Sequence, residues 1–327
     1  MGIQSFKQRL SSKKKRIIIT KNEEPQKKEK HSERYPVINL STNIFEDFPQ
    51  FRGINVANFD STLTTNSIDG SSSSLDGNAN IVLECVYFLL NVKFQNLSRY
   101  KMTKSSRAKL IAARSRYPNV IIVNQLYTIF PNSETCVDTE IEKLTHLRKL
   151  KLITLNYDNF PFRLLILQDD LTKLIDTHLE ANSNVVSSFK NFIHIYPNVN
   201  QISKEMIEKH GLDVKTLIQT GFLTFSESSY NLTLPNIGPT LKMLKIGIRA
   251  IIKVCQGNKF GQIEEAIIMK KFTDVTKEGV ATKNGLFVKT NGLDPHWLLS
   301  VMVGSGLLEC FYSSVGRVYK LTGKNLQ

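Results

Sequence analysis

Long apolar runs are missing from this chain of 327 residues. The longest, Ile81–Leu90, is half the length of the ~20-residue stretch that a bilayer-spanning helix needs, so a soluble chain is expected and no membrane partner. Cysteine is scarce. Cys85, Cys136, Cys255 and Cys310 stand far apart, with no C-x-x-C pair and no histidine at metal-ligand spacing. That pattern points to reduced, mostly buried thiols in an intracellular protein and to no metal site. The six histidines, His31, His146, His178, His194, His210 and His296, are equally scattered, so neither a ligand set nor a catalytic triad is expected. The N-terminus is too polar for a secretory signal. The single tryptophan, Trp297, follows Pro295 in what reads as a helix start and is expected in the core.

What the chain has in excess is positive charge. It carries 43 Lys and Arg against 29 Asp and Glu, a net of +14. Residues 1–30 hold ten basic residues and three acids, and residues 99–116 hold seven basic residues and no acid. These two patches account for the whole excess, and the rest of the chain is close to neutral. Patchy basicity points to a polyanionic partner. Residues 1–78 read as a disordered tail, because the Ser61–Asn80 segment and the charged start bury too little apolar surface to offset ordering entropy. Within the tail, Lys13, Lys14, Lys15 and Arg16 form a cluster of the nuclear-import kind.

Three similar units follow, and the chain is expected to be α+β: residues 79–181 with a basic insert at 95–117, residues 182–238, and residues 239–327. The first is read as an opening helix in "VIIVNQLYTIF", a second helix in "VDTEIEKLTHLRKL", strands "KLITL" and "FRLLILQ", and a closing helix beginning at the paired carboxylates Asp169 and Asp170. Acids at a helix start suit its dipole, which is the role expected of this pair. In the second unit, "DVKTLIQTG" carries Asp213 as N-cap, Gly221 after its end, and Val214, Leu217 and Ile218 as an inward stripe. Its strands are "FLTF" and "YNLTLP", with Tyr230, Leu232 and Leu234 expected to face inward. The third unit runs from "TLKMLKIGIRAIIKVCQ" through "GQIEEAIIMKKF" to a helix capped by Asp294 with Pro295 at its first position, then strands "LLECFY" and "GRVYKL". Helices followed by a hairpin form the winged-helix plan, so three tandem winged helices are expected.

The words "VNQLYTIFPNSETCVDTEIEKL", "LIQTGFLT" and "GRVYKL", with the order of the units, resemble the serine/threonine-protein kinase 19 family over roughly residues 81–325. The resemblance implies three winged-helix domains and a nuclear protein that binds double-stranded DNA in transcription-coupled repair. It also implies two partners, the stalled RNA polymerase II repair machinery and the transcription/repair helicase complex. Kinase chemistry is not expected despite the family name. A protein kinase needs a glycine loop over the phosphates, an H-R-D aspartate and a D-F-G aspartate, and none is present. The segment Gly304–Leu308 offers only G-x-G and leads into a strand. No catalytic residue and no cofactor is expected.

The basic residues carry the functional expectation. Lys245, Arg249 and Lys253 recur at i, i+4, i+8 on one helix stripe, extended at its ends by Lys242 and Lys259. No acid occurs between Glu227 and Glu264. Lys215 in the second unit, Arg317 and Lys320 in the last hairpin, and Arg107, Lys109, Arg114 and Arg116 in the insert complete the expected phosphate contacts. Base reading is not expected. "PHWLLSVMVG" has almost no side chain for a base edge, and neither Lys143, Arg148 and Lys149 nor Lys215, Thr216 and Gln219 form a reading set. The expected binder is a monomer that tolerates sequence. The alternative is a scaffold whose helices dock partner proteins.

Overall fold

The computed structural model describes residues 80–100, 102–157, 160–180, 182–226, 228–273, 285–314 and 316–323. The tail over 1–78 and the Lys13–Arg16 cluster lie outside them. The described chain is α+β, with helices packed on three small antiparallel sheets.

Each sheet has three strands, and each follows one order: the first strand pairs with the third, and the third with the second. The first unit opens with α1 (Ile81–Asn91), whose N-cap Asn80 accepts hydrogen bonds from the Val82 and Leu83 amides at 3.1 Å. The basic insert follows and contains α2 (Lys104–Ser115). Then come β1 (Val120–Ile122), α3 (Val123–Ile129), α4 (Glu134–His146), β2 (Leu150–Tyr157), β3 (Phe160–Leu167) and α5 (Gln168–Leu179). One expectation is corrected here. "VIIV" opens as a strand, because Val120, Ile121 and Ile122 pair with Ile166, Leu165 and Leu164 of β3. The opening helix of the unit is therefore α1, and the insert separates it from its own first strand.

The second unit comprises α6 (Ser183–Ile195), β4 (Gln201–Ile202), α7 (Lys204–His210), α8 (Val214–Gln219), β5 (Leu223–Ser226) and β6 (Ser229–Leu232). Asp213 caps α8 by accepting from the Thr216 amide at 3.1 Å, and Gly221 turns the chain at φ +84°. Leu217 is fully buried, yet Ile218 is 41% exposed, contrary to the stripe expected for it. Leu217 and Ile218 point about 100° apart around the helix, and Leu217 takes the side that faces the core. Leu232 and Leu234 are buried as expected, while Tyr230 is half-buried and meets Phe225 edge-on.

The third unit comprises α9 (Ile237–Gln256), a 3₁₀ turn (Lys259–Gly261), β7 (Gln262–Glu264), α10 (Glu265–Thr273), α11 (Leu286–Lys289), α12 (Pro295–Gly304), β8 (Leu308–Ser313) and β9 (Gly316–Leu321). Asp294 caps α12 through the His296 and Trp297 amides, and Pro295 takes its first position. Gly304–Leu308 is the turn between α12 and β8.

One buried apolar cluster runs through all three units, from Val82 to Tyr319. The first and third units meet most closely, where α12 lies on α3. Gln125 of α3 accepts from the Ile122 amide and donates to Trp297 O and Ser300 Oγ, both at 3.1 Å. Thr128 Oγ1 donates to Ser300 O at 2.6 Å, and Trp297 Nε1 donates to Leu89 O at 3.0 Å. A Cβ on Gly304 would stand 1.7 Å from Asn124 O, so only glycine permits this approach. Between the first and second units, buried Lys151 donates to Pro197 O at 2.6 Å and Val199 O at 2.8 Å. Burial takes its ammonium down to about 8. Buried Lys93 likewise donates to Pro118 O and Val120 O, and burial takes it to about 7.

Candidate nucleic-acid interface

The helix that leads into the hairpin of each unit, where a base-reading helix would sit, has a different environment in each case. In the third unit α12 is covered by α3. Its run of apolar residues, Trp297, Leu298, Leu299, Val301 and Met302, is buried core and no reading surface. In the first unit α4 carries Glu134, Asp138, Glu140 and Glu142 against Lys143, a charge balance that repels phosphate. Asp138 also pairs with Arg163 at 3.0 Å. Only α8 of the second unit combines an exposed lysine, Lys215, with exposed Gln219 and Ile218.

The stripe on α9 is a different surface. Its inner face buries Leu241, Leu244, Ile248, Ile251 and Cys255 against the third unit. Lys242, Arg249 and Lys253 are exposed and Lys245 is half-buried. Partial burial and then the neighbouring Arg249 charge hold the Lys245 ammonium below its usual value. Crowded like charges of this kind are relieved by an approaching polyanion. The C-terminal end of α9 packs on the 3₁₀ turn that contains Lys259, and both contact β9, which carries half-buried Lys320. These six residues therefore lie on three adjoining elements.

Two expected phosphate contacts are corrected. Arg114 is turned inward. Its guanidinium donates to Gln95 O at 2.9 Å, Asn291 O at 2.8 Å and Gly292 O at 3.2 Å, and lies 4.9 Å from the Phe94 ring centre. Burial lowers it to about 10. It clamps the insert to the third unit, alongside the Phe94–Leu293 bridge. Arg317 is equally committed. Its side chain is 15% exposed and pairs with Glu265 at 3.1 Å. The remaining insert residues differ: Lys109 and Arg116 are exposed, and half-buried Arg107 reaches Leu97 O at 3.5 Å.

Glu265 also joins His296 at 2.6 Å, and Asp294 Oδ1 lies 3.5 Å from the other ring nitrogen. Burial alone would lower this imidazole, but hydrogen bonds and charge from Asp294 and Glu265 outweigh it and raise it to about 9. Sequence reading missed this cluster, because its members stand 31 and 52 residues from Glu265 and no local spacing marks them. Beside it, Glu264, Glu265, Ala266, Met269 and Arg317 line a shallow cleft of about 320 Å³. Among the described residues no group of three His, Cys, Asp or Glu is arranged to hold a metal, and no helix is long and apolar enough to cross a membrane.

Comparison with known proteins places these features in a family. The model of the family described as inactive serine-threonine protein kinase 19 matches residues 91–321. The chain belongs to that family. Its description as inactive agrees with the absence of kinase motifs from the sequence, and the chain is not a kinase. A protein of Schizosaccharomyces pombe named serine/threonine-protein kinase mug51 is 24% identical over 225 residues, covering 64% of this chain and 69% of the other.

Proposed function

We propose that this member of the inactive serine-threonine protein kinase 19 family is a nuclear, non-catalytic protein of three tandem winged-helix domains that binds duplex DNA. The repeated order of helix, strand, helix, helix and hairpin, with the first strand joined to the last, supports the winged-helix reading. The family's expected place in transcription-coupled repair belongs to the same reading. So do the RNA polymerase II repair machinery and the transcription/repair helicase complex as partners.

The observation that carries DNA binding is the α9 stripe. Lys242, Lys245, Arg249 and Lys253 project from one helix, Lys259 and Lys320 adjoin it, and the chain has no acid from residue 228 to 263. Lysine and arginine without base-reading partners favour the phosphate backbone over sequence. Fluorescence anisotropy with several unrelated duplexes, across a series of salt concentrations, tests this. Similar affinities that fall steeply with salt are expected, and no binding at low salt would overturn the reading.

A scaffold role has one specific observation in its favour. Ile218 and Phe225 of the second unit are 41% and 61% exposed, an apolar pair suited to a protein partner. The apolar character of α12 no longer supports it, since α3 already covers that helix.

A further inference from the structure

We infer that Phe260 is a stacking platform for an unstacked base, so that the preferred ligand is DNA with unpaired nucleotides next to a duplex. The inference rests on the DNA-binding reading above and names the form of DNA that this surface takes.

Three observations converge on this residue. Phe260 is 74% exposed, the most exposed large apolar side chain among the described residues. Its backbone is left-handed, at φ +63° and ψ 14°. Among the described residues the other non-glycine residues with positive φ are Asn132, Asn236, Asn291 and Arg148, and asparagine tolerates this region where an aromatic residue does not. Gly261 beside it is also left-handed, at φ +64°, so glycine or asparagine at 260 would make the same turn with less strain. Strain of this kind gathers at functional sites.

The third observation is its setting. The turn follows α9 directly, seven residues after Lys253, and packs on β9, where Gly261 lies against Leu321. Lys259 precedes the ring in the chain, and Lys320 sits opposite Gln262 in the strand pair. An exposed ring beside the C-terminal end of the basic α9 stripe suits a base whose flanking phosphates lie on the cations of that helix. A hydrophobic pocket of a protein partner would not call for such a stripe. Single-stranded nucleic acid is held by this combination of basic track and aromatic face. Phe225, the next most exposed ring, lacks both the strain and the basic stripe.

The test uses the full chain and two DNA probes. One is a fully paired duplex, and the other is the same duplex with a short internal bubble containing 2-aminopurine. The wild-type protein should bind the bubble more tightly and quench the 2-aminopurine. Phe260→Ala should lower bubble affinity by roughly 5- to 150-fold, the range for loss of one base–aromatic stack, and abolish the quenching. Duplex affinity and its salt slope should stay unchanged, and Phe260→Trp should preserve both bubble preference and quenching. Phe260→Gly, which relieves the strained φ, should melt no lower than wild type, so that lost bubble binding cannot be blamed on unfolding. Equal bubble binding by Phe260→Ala and wild type, with duplex binding intact, would overturn this inference alone. Failure of the wild type to bind either probe would remove both this inference and the DNA reading beneath it.

Discussion

Arg114 and Arg116 are two residues apart in one basic run, yet they do opposite work. Arg116 is exposed, whereas Arg114 satisfies three backbone carbonyls in two separate loops. Arg114→Ala removes three charge-assisted bonds to carbonyls, of which Gly292 O keeps the Gln95 amide as a donor, so unfolding free energy should fall by about 2–4 kcal/mol in a denaturant titration. Arg116→Ala should change it by less than about 0.5 kcal/mol. Equal effects would place both arginines on the surface. His296 carries a second residue-scale prediction. Its folded value of about 9 lies above the ordinary 6.5, so the folded state holds the proton more tightly than the unfolded chain. The resulting stability is complete below about pH 6.5 and is lost as pH rises through about 9. The ring is about a third exposed, so solvent screening keeps the effect to the order of 1 kcal/mol. His296→Gln should flatten stability between these limits relative to wild type. A variant that keeps the wild-type slope would show that the Glu265–His296–Asp294 contacts do not persist in solution.

At the scale of elements, local chemistry was legible in the sequence and long-range docking was not. Asp213, Asp294, Pro295 and Gly221 act within a few residues of their own chain, and each lies where capping and turn rules put it. The Asp169–Asp170 pair sits in the first turn of α5 for the same reason. "VIIV" was misread because a short apolar run before a helix has no period of its own, and its partner strand lies over forty residues away. The α12 helix shows the larger gap. Its lack of polar side chains was legible, but the cause, burial against α3 some 170 residues earlier, was not. Two glycines test that docking. Gly304→Ala sets a Cβ 1.7 Å from a backbone oxygen and should cost about 3 kcal/mol or more. At Gly247 the nearest atom is the Leu298 Cδ2 tip at 2.5 Å, which can swing away. Gly247→Ala also gains helix propensity, so its net cost should stay near 1 kcal/mol. Thermal melts of the two variants decide the matter, and comparable losses would contradict the close approach of α12 to α3.

For the whole molecule, net charge was a poor guide to the binding surface. One of the two basic patches, residues 1–30, lies outside the described residues, and the other uses Arg114 to hold the first and third units together. The candidate surface instead lies on α9, in the acid-free stretch 228–263, whose five cations are fewer than either patch carries. What marked it was spacing, four cations along one helix whose opposite face is core. The exposed Phe260 at its end left no sequence signal, because exposure and left-handed φ exist only in three dimensions. A surface built this way predicts a definite electrostatic signature. If Lys245, Arg249 and Lys253 each contact one phosphate, each contributes about −0.9 to the slope of log affinity against log salt. Replacing all three with glutamine should make that slope shallower by roughly 2.7, with a similar loss of affinity on every duplex sequence. Arg249 and Lys253 are exposed and Lys245 is half-buried, so the loss of stability should stay within about 1 kcal/mol. Measuring the salt slope of this folded triple variant beside wild type is the most direct test of DNA binding through α9. A slope shallower by that amount is the predicted result, and an unchanged slope and affinity would contradict it.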